Sequence, residues 1–193
     1  FQISAHDLIK EGDWIEVPSY GADGDVMDMS LHAIKVRNFD MTTTVIPTYK
    51  MIDTAYKNYR SMQLGGGRRI KRSLLIDLNS IQFCTSAQLR KLADVEIIAD
   101  YVKDVMTKIE RGAAAHGEDY DWPLDGPQVT NLEVFHQYIA AYLASRGDIH
   151  TTGDFSLLIR DLAPSTNGLP VEIYAFTTEV AWARYEEIQA SIF

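Results

Sequence analysis

Between Gly12 and Pro47, hydrophobic and polar residues alternate in short runs separated by turn formers. Ile15 and Val17 share one face of a run whose other face carries Trp14 and Glu16. Tyr20-Gly21-Ala22-Asp23-Gly24 reads as a turn cluster. Met27, Met29 and Leu31 then fall on a face opposite Asp28 and Ser30, and Ile34 and Val36 on a face opposite Lys35 and Arg37. Asn38-Phe39-Asp40 makes the next turn, and Thr42 to Ile46 is a β-branched run stopped by Pro47. Successive side chains of an extended strand point to opposite sides, so a period of two marks strands half buried against a core. Four such strands, broken by Gly, Asn and Asp, predict a small antiparallel β-barrel of the Sm-like or SH3-like kind.

The pattern changes after Leu64-Gly65-Gly66-Gly67, a flexible stretch that places a domain boundary, with residues 12–64 before it and 65–193 after it. Arg68-Arg69-Ile70-Lys71-Arg72 is the densest positive run, and Leu74 to Leu78 is β-like. Thr85-Ser86-Ala87-Gln88 has the capping-box pattern, as does Thr130-Asn131-Leu132-Glu133. After the first box, Leu92, Val95, Ile98, Tyr101, Val102, Val105 and Ile109 keep a three-to-four spacing, which predicts an amphipathic helix with room for a break. After the second, Leu132, Phe135, Ile139 and Leu143 line a helix ending near Gly147. Residues 111–128 carry glycines, prolines, Glu118, Asp119, Asp121 and Asp125, and read as an acidic loop inserted between helices, with Tyr120 and Trp122 to pin it to the body.

Phe155, Leu157 and Ile159 alternate as a strand, Pro164 to Gly168 turns the chain, and Val171, Ile173 and Ala175 follow as a hairpin partner. Both faces of that partner are largely apolar, which predicts a central strand covered by helices. A last helix from about Glu179 carries Trp182, Tyr185, Ile188 and Ile192 on one stripe. The second half is therefore expected to be a ferredoxin-like α+β sandwich, and the whole chain a β + α/β (α+β) protein.

Composition sharpens this reading. The 193 residues suffice for one large domain or two small ones. A net charge of -9 argues against a nucleic-acid partner, because phosphate binding needs a basic surface. The single cysteine, Cys84, excludes an internal disulfide and a cysteine-based zinc site and reads as a small buried hydrophobe. No stretch of about 18 apolar residues is present to span a bilayer.

Candidate chemistry is sparse. The three glycines before Arg68 are followed by a β-like segment and lack the Lys-Ser/Thr pair of a nucleotide loop. The basic run fits an exposed strand edge, where Lys and Arg discourage stray pairing, or a salt-bridging surface to a neighbouring subunit. His116 with the four acids lacks the spacing of a calcium loop, and His6 has no second ligand at helical spacing. His136 lies beside an apolar helix face, as a packed or interfacial residue. Glu118-Asp119 and Glu186-Glu187 are explained by solvation, and Arg146-Gly147-Asp148 matches an adhesion tripeptide by letter alone. No nucleophile elbow, HExxH or paired Cys and His occurs. The expectation is therefore no enzyme, no catalytic residues, no cofactor and no metal. A ring-forming Sm-like module that binds RNA or protein shares the strand pattern, but its nucleotide sites need basic and aromatic residues where Asp23, Asp25 and Asp40 stand.

The opening Gly12-Asp13-Trp14-Ile15-Glu16-Val17, the Gly24-Asp25-Val26 after a loop, and Val45-Ile46-Pro47-Thr48-Tyr49 after a Thr-rich strand resemble the middle β-domain of small-conductance mechanosensitive channels. Through GGGRRIKRSLLID, LPVEIYAFT and the final helix, the chain is most similar to the miniconductance branch. Thr48 stands where that family commonly has Asn, a departure that puts any role of an amide side chain there in question. The resemblance implies the cytoplasm-facing vestibule of a bacterial inner-membrane channel. Such channels open under membrane tension and release ions and small solutes in hypoosmotic shock. It implies a homo-oligomer, a heptamer in the full-length channel, with the membrane helices upstream of Phe1. Residues 1–11 would be the connector from the pore helix and, with the strand turns nearest the membrane, would carry the transmitting residues.

Overall fold

The computed structural model describes residues 8–116 and 127–193. The chain divides into two compact units, Phe1–Gly66 and Gly67–Phe193, which part inside the glycine triplet.

The first unit contains β1 (Trp14–Val17), β2 (Ala22–Met29), β3 (Ala33–Asn38), β4 (Thr43–Pro47), β5 (Lys57–Asn58) and the short helix α1 (Arg60–Gly65). The strands form one antiparallel sheet in the order β4-β3-β2-β1-β5. This ladder is open, with ends at β4 and β5, where the sequence pattern predicts a barrel. The alternation of β1 and β3 survives intact, since Ile15, Val17, Ile34 and Val36 are all fully buried together with Ile46.

Two departures concern β2. The chain turns in a single 3-10 turn at Pro18–Tyr20, closed by Gly21 at φ 61°, so β2 already begins at Ala22 inside the expected turn cluster. The inward residues are then Ala22, Gly24 and Val26. Gly24 is required there, because a Cβ would lie 2.0 Å from the carbonyl oxygen of Arg37 on β3. A β-bulge follows, for the register steps from Val26↔Val36 to Asp28↔Lys35. Met27 is the extra residue and is 49% exposed, while Met29 turns back inward and Leu31 is 62% exposed. The predicted Met27-Met29-Leu31 face is thus replaced by Val26 and Met29, because one inserted residue shifts the period of two.

The second unit contains β6 (Arg68–Ile76), α2 (Ser86–Leu92), α3 (Ala99–His116), α4 (Asn131–Ser145), β7 (Leu158–Asp161), β8 (Leu169–Thr177) and α5 (Trp182–Ile192). Its antiparallel sheet has the order β6-β8-β7, so β8 is central. Ile70, Val171, Ile173 and Ala175 of the sheet pack with Ile139 and Leu143 of α4 and Tyr185 and Ile188 of α5. A second cluster joins Leu89, Ile98 and Val102 to Val134 on α4. Helix α4 therefore lies between the sheet and the α2–α3 pair, and the unit is an α+β layer structure.

The first capping box forms in full around Thr85 and Gln88, and Thr130 Oγ1 accepts from the Glu133 amide at 3.1 Å. The expected break falls between α2 and α3, at a 3-10 turn over Glu96–Ile98. Other boundaries move. β6 starts at Arg68, so the basic run and the β-like segment from Leu74 form one edge strand. Helix α3 continues to His116, so the first part of the expected 111–128 loop is helical. The acidic residues Glu118, Asp119, Asp121 and Asp125, with Tyr120 and Trp122, lie outside the described residues. β7 begins only at Leu158, because the Phe155 ring instead stacks on His150 at 4.1 Å and covers Gly67. The glycine triplet is not slack. Gly65 ends α1, Gly66 caps it at φ 67° and donates to Met62, and a Cβ on Gly67 would meet Phe155 at 2.2 Å.

Candidate functional site

The first unit gathers its polar chemistry where the chain reaches β1. Gly12, at φ 85°, donates its amide to the Val26 carbonyl at 2.8 Å, and the Asp13 carbonyl accepts from the Val26 amide at 2.9 Å. The chain before β1 is thereby laid against β2. The Asp13 side chain points inward and is only 7% exposed. Its Oδ2 accepts from the Lys10 amide at 2.8 Å and from Asn58 Nδ2 at 2.9 Å, and its Oδ1 accepts from Arg60 Nε at 2.8 Å. Arg60 Nη2 also donates to Oδ2, so the guanidinium and carboxylate meet two on two. Burial alone would push the Asp13 carboxyl up. The bonds from Arg60, Asn58 and Lys10 outweigh it and hold the group below its ordinary value.

Asn58 completes the cluster. Its Nδ2 also donates to the Leu8 carbonyl at 3.1 Å, and its Oδ1 accepts from the Arg60 amide at 2.9 Å. The segment Leu8–Asp13 is thus bonded side chain to main chain with the far end of the same unit.

The outward face of β1 carries a second layer. Trp14 donates from Nε1 to Asp23 Oδ1 at 2.8 Å, stacks on Tyr59 and meets the edge of Phe39. Glu16 accepts from Lys57 Nζ at 2.8 Å and from the Tyr59 hydroxyl at 2.7 Å, and these two donors hold its carboxyl below its ordinary value. The free side of β4 exposes Val45, which is 55% accessible. Thr48, which follows Pro47, is buried and its Oγ1 donates to the Ser30 carbonyl at 3.0 Å.

In the second unit the basic strand β6 lies at a sheet edge, and its arginines rest on aromatic rings. The Arg68 guanidinium is 4.3 Å from the Tyr185 ring centre and Arg72 is 4.8 Å from that of Phe193. His136 Nε2 is buried 3.0 Å from Asp161 Oδ1, without hydrogen-bond geometry, and so bridges α4 and β7 as a packed residue. Cys84 is half buried, and burial followed by the Glu133 charge pushes its thiol up. Arg146 and Asp148 are ion-paired at 2.7 Å, with Tyr142 and Ser191 bonded to the same guanidinium, so that tripeptide is a structural corner. Among the described residues no three His, Cys, Asp or Glu side chains cluster as a metal site. No helix among them is long and apolar enough to cross a membrane.

Of the expected transmitting segment 1–11, residues 8–11 are described: Leu8 and Lys10 bond to the Asp13 cluster, Ile9 enters the core and Glu11 accepts from the Met29 amide; residues 1–7, with His6, lie outside the described residues. The partners Asn58 and Arg60 escape sequence reasoning. They stand 45 and 47 residues from Asp13, beyond any local periodicity. The one legible signal is the polar pair Asn58 and Arg60 around Tyr59, in a chain stretch with no alternation to explain it.

Residues 1–61 match the family model of the mechanosensitive ion channel β-domain. The match spans β1 to β5 and includes Asp13, Asn58 and Arg60. The fold is similar to MSL1 of Arabidopsis thaliana, with a TM-score of 0.58 and 12% identity over 99% of this chain and 50% of that one. It is also similar to closed-state MscS of Helicobacter pylori, with a TM-score of 0.58 and 14% identity over 98% of this chain and 53% of that one. The chain spans about half the length of these solved chains. The family match thus concerns the first unit, and the likeness to the solved chains is one of fold.

Proposed function

We propose that this chain is the cytoplasm-facing vestibule portion of a mechanosensitive channel of the miniconductance branch. The channel opens under membrane tension and releases ions and small solutes in hypoosmotic shock. The observation that carries this reading is the β-domain match over residues 1–61, supported by a fold likeness that continues across both units. Residues 1–11 connect to a pore helix, 12–64 form the middle β-domain and 65–193 the terminal α+β domain. The working assembly is a homo-oligomer, a heptamer, in a bacterial inner membrane, with the spanning helices on further chain.

The test uses the full-length gene product. It is expressed in bacterial cells stripped of their own tension-gated channels, and survival of rapid dilution and currents in excised patches under suction are measured. Rescue of survival with tension-gated currents is expected. Correct membrane insertion without either would overturn the reading.

A further inference from the structure

Asp13, Asn58 and Arg60 join two parts of the chain that sequence order keeps at opposite ends of the first unit. One is Leu8–Lys10, by which the chain reaches β1. The other is Arg60, the first residue of α1, the helix that runs directly to the boundary at Gly66 and Gly67. Along the chain the path from one to the other passes through five strands and the four connections between them, although β1 and β5 are neighbours in the sheet. Across the cluster it is two bonds. Leu8 O accepts from Asn58 Nδ2 at 3.1 Å, and the same side chain accepts the Arg60 amide at 2.9 Å. Lys10 N donates to Asp13 at 2.8 Å, and Asp13 receives the Arg60 guanidinium on both oxygens.

We infer that the Asp13–Asn58–Arg60 cluster is a mechanical joint. It couples movement of the segment before β1 to α1, and hence to the chain that leaves the first unit, through the β1–β5 edge of the sheet and without passing through β2, β3 and β4. Three features fit that role. The Asp13 carboxylate is almost wholly buried, so its bonds are not exchanged for water as the segment moves. The Arg60 contact is a planar two-on-two pair, which resists rotation as well as separation. Displacement along the chain meets the Leu8 bond to Asn58 and the Lys10 bond to Asp13 before the Gly12 bond to Val26 of β2. Asn58 and Arg60 are positioning residues in this scheme. The use of the joint in gating rests on the channel reading above; its existence does not.

The test has two arms. In the 193-residue chain, amide hydrogen exchange is followed in Asn58→Ala, which keeps the ion pair, and in Arg60→Lys, which keeps the charge but loses the fork. A joint predicts that exchange rises together, by about tenfold or more, at Leu8–Lys10 and at the amides of α1, while the β1–β3 core stays protected. A rise at one end alone, or a rise equal to that of the whole sheet, overturns the joint. In the full-length protein the same variants are compared in patches. A shifted opening tension with unaltered conductance is expected, and an unshifted tension in a functioning channel overturns the gating role. A wild-type protein without tension-gated current would instead count against the channel reading and leave the exchange result standing.

Discussion

The indole of Trp14 stacks on the Tyr59 ring with 3.9 Å between centroids and 22° between planes. The pair locks β1 to the residue that follows β5, on the face opposite the core. Tyr59 also donates to Glu16, so one side chain serves a stacking and a hydrogen-bonding partner. Tyr59→Phe keeps the stack and is expected to cost about 1 kcal/mol for the lost bond to a carboxylate. Tyr59→Ala loses both and is expected to cost about 3 kcal/mol. Chemical denaturation of the full chain checks the order. Equal losses for the two variants would show that the stack contributes nothing.

Val36 tests the independence of the two units. It is fully buried between β2 and β4, and a carboxylate there has no partner. Val36→Asp is expected to unfold the first unit, since an unpaired buried charge exceeds the stability of a small domain. The second unit has its own core and should keep its melting transition. Val45→Asp, on the exposed edge, should leave both transitions within about 0.5 kcal/mol. Calorimetry and circular dichroism together distinguish these outcomes, and loss of both transitions in Val36→Asp would mean the units do not fold separately.

Glycine substitutions separate close approach from mere flexibility. Gly24→Ala forces a Cβ to within 2.0 Å of a strand carbonyl, which cannot move without breaking the β2–β3 ladder. A loss of about 2 kcal/mol or more is expected. A Cβ on Gly147 meets nothing within 4 Å, and its φ is not positive. Gly147→Ala should therefore be within about 0.5 kcal/mol of the parent. A neutral Gly24→Ala would refute the tight β2–β3 approach.

Acid and alkali should act on different groups. The folded-state carboxyls of Asp13 and Asp148 lie below their ordinary value of 3.8. For each, the stabilisation is present above pH 3.8 and is lost as pH falls through the lower folded value. Asp13→Asn should flatten the acid limb of the first unit and Asp148→Asn that of the second. At the other extreme, burial and the Glu133 carboxylate push the Tyr101 hydroxyl up from 10.0 to about 12. The unfolded chain then releases a proton that the folded chain holds, so stability falls as pH rises from 10.0 through about 12. Tyr101→Phe should remove that slope, as read by denaturation across the alkaline range.

Local periodicity by itself determined which faces of β1 and β3 are buried, the capped start of α2, the break before α3 and the central place of β8. These follow from backbone geometry within a few residues: a strand alternates at every residue, and a cap bonds three residues on. The same reasoning failed where one residue changes the count, as at the Met27 bulge, and where a ring claims a segment, as Phe155 does before β7. Asp13 was legible only as a member of the Gly12–Val17 motif, without its partners. Whether a buried carboxylate is stable depends on a guanidinium 47 residues away, and whether Trp14 is stacked depends on Tyr59 beyond β5. Only the register of the assembled sheet brings those groups within bonding distance, so tertiary structure alone decided the cluster on which the further inference rests.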